Sequence, residues 1–227
     1  MAYSHGTPNS IVTDGLIFYV DAANIKSYPR SGTSCTDLIE KQTGTLQSSD
    51  MFENINSGVF NFDGSDDRID FSNDNSLIPT NAISISLWVK TSDTRNYRGL
   101  VDKWNGTSST GYMIDLGPSG ANQGKARFTI GGQTSLATTV TINDGNWHHI
   151  VATCNNTNGF IYLDGIQNNT ASLTMTGISN SDNLKIGGDN VSTLYLNGQI
   201  GPTQMYNRAL SASEVLQNYR ALKGRFE

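Results

Sequence analysis

The sequence predicts an all-β chain, a two-sheet antiparallel sandwich closed by one short C-terminal helix. Three observations predict it. Glycine is frequent, with 23 residues, while charged residues make up only 15% and Thr, Ser and Asn recur throughout, which is the composition of many strands joined by many turns. Short apolar or alternating runs succeed one another at strand length from Gly15 to Tyr206, bounded by Gly, Asn and Asp clusters. Signals for a helix converge at one place only, the C-terminus.

Residues 1–14 show no period and read as an N-terminal arm; residues 15–227 read as one domain, with no composition shift to divide it. A chain of 227 residues buries roughly 70% or more of its unfolded surface and needs no covalent staples. Gly15 to Asp21 is a continuous apolar run suited to a strand buried on both faces. Ser31 to Ser57 is polar and loop-like, with room for at most a short strand. Gly58–Phe62 and Arg68–Phe71 flank Asp63-Gly-Ser-Asp-Asp67 and read as a hairpin turning on Asp-Gly. The clearest alternation is Ile83-Ser-Ile-Ser-Leu-Trp-Val-Lys90: Ile83, Ile85, Leu87 and Val89 share one face, and Ser84, Ser86, Trp88 and Lys90 the other.

Strands are expected next near 100–104, 112–116 and 126–130. Trp147–Cys154 and Phe160–Asp164 form a pair joined by Asn155-Asn-Thr-Asn-Gly159, and 184–186, 194–196 and 200–206 complete the set. The helix begins at Ser211, an N-cap with Glu214 three residues on as a capping box. Val215, Leu216, Tyr219 and Leu222 form its apolar stripe, Gln217, Asn218 and Arg220 lie away from it, and Gly224 suits the position after its end. A helix this short is marginal in water, so it must dock on the sandwich.

The order of these pieces carries a resemblance. Phe62-Asp-Gly-Ser-Asp-Asp-Arg-Ile69, Ser84-Ile-Ser-Leu-Trp-Val-Lys90, Trp147-His-His-Ile-Val-Ala-Thr153, Ile161-Tyr-Leu-Asp-Gly165, Lys185-Ile-Gly-Gly188 and Tyr206-Asn-Arg-Ala-Leu-Ser211 together resemble the laminin-G-like, concanavalin A-like jelly rolls. The resemblance implies two stacked, curved antiparallel sheets and a short C-terminal helix. Gly15-Leu-Ile-Phe-Tyr-Val-Asp-Ala-Ala-Asn24 with Lys26-Ser-Tyr-Pro29, closed by Tyr206-Asn-Arg-Ala-Leu-Ser211, is similar to the version of this module in tailed-bacteriophage virion proteins. The chain departs from that pattern at Cys35, where an aromatic is usual, and at Gly201-Pro202, where acidic residues are usual.

Glycosidases on such sandwiches use paired carboxylates across one face. The chain has four glutamates, Glu40 and Glu53 in a loop-like region, Glu214 at the helix cap and Glu227 at the terminus, so none is expected on a strand and no catalytic residue is assigned. His148-His149 point to opposite faces of a strand and cannot chelate one ion together. Asp63, Asp66 and Asp67 offer two readings: part of a calcium shell, or a turn held by Asx-type bonds. With Gly201-Pro202 in place of the usual acids, calcium is expected at most as a minor stabiliser, and no other cofactor is implied.

Trp88 stands on the polar side of its strand. By alternation Trp147 and His149, Phe160 and Tyr162, and Met113 and Asp115 each share a face. If those faces coincide, they make an aromatic, mixed-polar surface with Trp88, Lys90, Asp115, Arg127 and Tyr162 as candidate ligand-binding residues; the other reading is a Trp88 covered by a loop or a neighbouring subunit. Cys35 and Cys154 lie far apart in sequence and offer two readings, one disulfide or two free thiols with Cys154 as a small core residue; the second is the leading one.

A net charge of −5 with no basic run argues against sequence-independent nucleic-acid binding. No apolar stretch approaches the ~20 residues of a membrane span, and Met1-Ala-Tyr-Ser-His-Gly6 shows no signal-peptide pattern. The leading expectation, carried by the phage resemblance, is a non-enzymatic virion surface protein, in capsid decoration or a tail fibre. It would be held in an oligomeric assembly with other virion proteins through its N-terminal arm and would face host surface glycans. The alternative is a carbohydrate-binding module of a secreted bacterial protein; a glycoside hydrolase ranks last.

Overall fold

The pleat sends successive side chains to opposite sides of a strand, and nearly every strand of this chain has one side to bury. A computed structural model describes residues 10–227 apart from positions 41, 134, 191 and 192. Its elements are β1 (Leu16–Val20), β2 (Ser34–Thr36), β3 (Thr43–Leu46), β4 (Phe52–Glu53), β5 (Val59–Asp63), β6 (Ile69–Phe71), β7 (Ile83–Thr91), β8 (Gly99–Asn105), β9 (Thr110–Leu116), β10 (Ala126–Ile130), β11 (Leu136–Ala137), β12 (Trp147–Cys154), β13 (Asn158–Leu163), β14 (Ile166–Ser172), β15 (Leu184–Ile186), β16 (Asn197–Tyr206) and α1 (Ala212–Leu222).

The strands form two antiparallel sheets. Sheet A runs β14-β13-β12-β7-β16-β5-β4, and sheet B runs β11-β10-β9-β8-β15-β6-β3-β2. β16 pairs with β7 on one side; on the other it pairs first with β5 through Asn197–Ile200, then with β1 through Thr203–Tyr206. The register slips between Ile200 and Thr203. Gly201-Pro202 sits in that slip, a place that tolerates a residue without an N–H. Gly201 is also required by contact, since a Cβ there would lie 2.8 Å from the Phe226 ring.

The main core lies between the sheets. Ile83, Ile85, Leu87 and Val89 of β7 face Ile114, Phe128 and Ile186 of sheet B across it. Phe18 meets Phe71 edge-on at 4.9 Å. Cys35 and Cys154 are both buried free thiols, one in each sheet.

Several expected elements differ. Val59–Asp63 and Ile69–Phe71 are not a hairpin: β5 pairs with β4 and β16 in sheet A, and β6 with β3 and β15 in sheet B. The turn between them arches from one sheet to the other. Phe60, Phe62, Ile69 and Phe71 all bury into the same core, and alternation is identical for a hairpin and an arch. The stretch 31–57 holds three short strands, β2, β3 and β4. Gly44 is among their requirements, because a Cβ would strike the Phe71 ring at 2.4 Å. Residues 194–196 are not a strand, and β14, mostly polar and exposed, has no apolar alternation by which to be seen.

The helix starts as expected. Ser211 Oγ accepts from the Glu214 N–H, and Glu214 returns a bond to the Ser211 N–H at 2.8 Å. Arg208 clamps Glu214 through Nη1 and Nη2 at 3.0 and 2.6 Å, and that bonding pulls the Glu214 carboxyl down to about 2. Asn218, expected away from the apolar stripe, is fully buried. It accepts from the Val12 N–H at 2.8 Å and donates to the Tyr206 hydroxyl at 3.0 Å, while that hydroxyl donates to the Val12 carbonyl at 3.0 Å. These bonds satisfy a buried amide that periodicity alone reads as solvent-facing. Gly224 lies in a 3₁₀ turn over Lys223–Arg225 with no left-handed backbone, so the helix tightens rather than ending on a glycine cap.

Residues 10–14, read as the last part of the arm, are bound to the sandwich. Val12 is buried beside Tyr206, Leu210 and Val215, and Asp14 meets Arg208 at 2.8 Å. Positions 1–9 of the expected arm lie outside the described residues.

The helix docks on the outer face of sheet A and covers Trp88. That ring is 2% exposed, stacked on Phe226 at 4.5 Å and on Tyr219 at 5.6 Å, with His149 at 5.2 Å. Trp88 is therefore the centre of a second, smaller core. Truncating Trp88 to Ala should cost about 3–5 kcal/mol, read as a lower denaturation midpoint in urea. A change under about 1 kcal/mol would mean that the helix does not hold the ring.

Candidate functional site

The outer face of sheet A lies under the helix, and the outer face of sheet B carries a pocket. β8 and β9 are adjacent strands whose alternate residues point away from the core. Val101 and Ile114 go inward, so Asp102, Trp104, Met113 and Asp115 go outward. Together with Tyr97, Gly99, Gly106, Arg127 of β10, and Asp189 and Leu194 of the β15–β16 connection, they line a pocket of about 240 Å³.

Its polar groups are organised. Arg127 Nε donates to Asp115 Oδ1 at 2.9 Å, and its Nη2 donates to Oδ2. The guanidinium also lies 5.0 Å from the centre of the Tyr97 ring. Burial pushes the Asp115 carboxyl up to about 6, with the bond and charge of Arg127 pulling the other way, so the pair is ionised at neutral pH. Asp102 is 2% exposed; its Oδ1 accepts from the Trp104 N–H at 3.1 Å and from Asn190 Nδ2 at 2.7 Å. Burial pushes this carboxyl up to about 7.

The wall is braced from behind. Lys103, pointing the other way from β8, is fully buried. Its Nζ donates to Asn73 Oδ1 at 2.7 Å, Asn180 Oδ1 at 3.1 Å and the Asp182 carbonyl at 2.6 Å. Those bonds tie the 180–182 loop to β8, the strand that carries Asp102 and Trp104.

The five candidate ligand residues do not share one surface. Asp115 and Arg127 are brought together in this pocket on sheet B. Trp88, Lys90 and Tyr162 belong to sheet A: Trp88 and Tyr162 are buried under the helix, and Lys90 borders a separate shallow hollow with Asn61, Ser92 and Gln199. The expected aromatic face does exist on sheet A, as Trp88, Trp147, His149, Phe160 and Tyr162, but this chain's own C-terminus and helix cover it. Tyr97, Asp102, Trp104 and Asp189 were not singled out in the sequence. The alternation of Asp102 and Trp104 about Lys103 was the available signal, masked because a lysine took a core-facing position.

His148 and His149 do point apart. His148 bonds Asp164 at 3.0 Å and Asp144 at 3.2 Å, while His149 is buried against Ser86 Oγ at 2.9 Å, and burial pushes the His149 pKa down to about 3. Glu53 lies on a strand after all, β4, where Gln199 Nε2 donates to it at 2.6 Å; it is in sheet A, on the other layer from the pocket. Asp63, Asp66 and Asp67 do cluster, with one carboxylate oxygen each within 4.8 Å of the others. Asp63 Oδ1 accepts from the Ser65 N–H at 2.7 Å, and Asp67 Oδ2 from the Asp63 N–H at 3.1 Å, the bonds of an Asx-type turn. Among the described residues no helix is long and apolar enough to cross a membrane.

A family model described as the concanavalin A-like lectin/glucanases superfamily matches residues 63–216. No curated protein matches the sequence. Solved structures share the fold. The binding domain of botulinum neurotoxin DC, in complex with rat synaptotagmin II, superposes with a TM-score of 0.72 at 15% identity, over 92% of this chain and 52% of that one. The binding domain of Paraclostridial Mosquitocidal Protein 1 gives 0.68 at 17%, over 90% and 52%. Domain 4 of AbnA, a GH43 extracellular arabinanase from Geobacillus stearothermophilus in complex with arabinotriose, gives 0.68 at 16%, over 90% and 98%. The chain thus spans about half the length of the toxin binding domains and nearly all of the arabinanase domain.

The pocket has a stability signature. Asp102 has a folded pKa of about 7 against an unfolded value of 3.8. Between those values the folded chain binds more protons than the unfolded one, so stability should fall as pH rises from about 4 to about 7. Asp102→Asn keeps the acceptor for Trp104 and Asn190 and removes the charge. It should raise stability at pH 8 by on the order of a few kcal/mol and flatten that slope in thermal melts. An unchanged slope would show that Asp102 titrates normally.

Proposed function

Because the chain belongs to the concanavalin A-like lectin/glucanase superfamily, we propose that it is a non-catalytic glycan-binding domain whose ligand sits in the pocket on the outer face of sheet B. One observation carries the reading. Aromatic rings, Tyr97 and Trp104, share a concave site with an ordered Asp115–Arg127 pair and the buried acceptor Asp102. Sugars need this combination, since their C–H faces stack on rings while their hydroxyls meet fixed donors and acceptors. Arabinotriose in complex with a domain of this fold, and the interaction of botulinum neurotoxin type C, a structure of which shares the fold, with two ganglioside molecules support a glycan over other ligands. Protein receptors are the second partner class, as in the synaptotagmin complex. Of the lining carboxylates Asp102, Asp115 and Asp189, Asp115 is committed to Arg127 through two bonds, which favours binding over hydrolysis.

Display on a virion surface, with residues 1–14 as the attachment, is a separate proposal. It rests on the phage-like residues at 15–29 and 206–211, and the comparisons favour the carbohydrate-binding module instead. Mass spectrometry of purified particles decides it: absence of the chain removes that placement without touching the glycan reading.

Titration against arabino-, gluco- and galacto-oligosaccharides should give saturable quenching of tryptophan fluorescence. Trp104→Ala and Arg127→Ala should each weaken binding about tenfold or more while the protein stays folded by circular dichroism. Binding that survives both changes would place the ligand elsewhere. Reducing sugar released from any of these glycans, and lost on Asp115→Asn, would make the domain an enzyme.

A further inference from the structure

Resting on that glycan-binding reading, we propose that the ligand carries a free amino group: the pocket prefers an amino sugar to its N-acetylated, neutral or acidic counterparts, with the ammonium seated on the Asp102 carboxylate. The charges of the wall carry the inference. β8, β9 and the β15–β16 connection each contribute a carboxylate to the lining, Asp102, Asp115 and Asp189, against a single guanidinium, Arg127. Arg127 is committed to Asp115 through two bonds and lies over the Tyr97 ring.

The other nearby cations are engaged elsewhere. Lys185 is the cross-strand partner of Asp102, yet its ammonium turns to Asp70 at 3.7 Å and to the Asp189 carbonyl at 3.1 Å. Arg98 donates from Nη1 to the Thr193 carbonyl at 3.2 Å. Among the described residues Asp102 is therefore held only by neutral donors, the Trp104 N–H and the Asn190 amide.

A buried carboxylate without a cation is unfavourable, and the raised pKa of Asp102 reflects that. A sugar hydroxyl would add one more neutral donor. A uronic or sialic acid would bring a second negative charge beside Asp102, which only neutral donors hold. An ammonium compensates Asp102, and the faces of Tyr97 and Trp104 attract it as well.

The test is calorimetric titration of the whole chain at pH 6.5 with methyl glucosaminide, methyl N-acetylglucosaminide, methyl glucoside and methyl glucuronide, repeated with the galacto series. Two buffers of different ionisation heat are used. The amino sugar should bind at least about tenfold more tightly than each counterpart. It should also release protons, because at this pH the ammonium displaces the proton from Asp102, whereas neutral sugars release none. Asp102→Asn should bring the amino sugar to within about twofold of the neutral one. Proton release is read on the unaltered protein, so it decides the matter independently of that variant. Equal affinity for amino and N-acetyl forms without proton release overturns the amine preference and leaves the glycan site standing. Failure of every sugar to bind overturns both readings.

Discussion

A β-strand has two sides, and a two-layer sandwich buries only one side of each sheet. This chain puts Ile83, Ile85, Leu87 and Val89 of β7 and their partners in sheet B into the shared core, which leaves two outer faces to be settled. The outer face of sheet A carries Trp88, His149, Val151 and Tyr162, too apolar to leave wet, and α1 with the Phe226 turn seals it. The outer face of sheet B carries Asp102, Trp104, Asp115 and Arg127, polar enough to stay open. The division into a sealed face and an uncovered face follows from that constraint.

The seal accounts for features that look unrelated along the chain. Gly201 leaves the space that Phe226 fills beside Trp88. Asn218 and the Tyr206 hydroxyl satisfy each other and the Val12 backbone where the helix, the last strand and the N-terminal segment meet. Arg208 joins Glu214 of the helix to Asp14. The residues near 15–24 and 206–211 are thereby one structure, since Leu16 pairs with Tyr206 across β1 and β16.

The open face stores its cost in Asp102. A carboxylate held in a folded wall without a cationic partner lowers stability when ionised, and such a group is expected where a ligand, rather than the fold, supplies the missing charge. Lys103 shows the opposite solution one residue away. Its buried ammonium is surrounded by side-chain and backbone oxygens of Asn73, Asn180 and Asp182, and it stiffens the strand on which the pocket is built.

What the sequence determined by itself is the set of local choices. The alternation of Ile83–Lys90 fixed which residues of β7 face the core, the Ser211–Glu214 box fixed where the helix begins, and the order of short strands and turns carried the superfamily. Each of these depends on neighbours within a few residues. Tertiary structure decided what alternation leaves undetermined. Whether Asp63–Asp67 turns back on its own sheet or arches to the other is invisible locally, because both arms bury the same residues. Whether Trp88 meets a ligand or a helix depends on a segment more than a hundred residues later. The pocket itself was only half legible: Asp115 and Arg127 could be named from their strands, but Tyr97, Asp102, Trp104 and Asp189 join them only when β8, β9, β10 and the β15–β16 connection lie side by side, and strand order is set by long-range pairing rather than by any single run of residues.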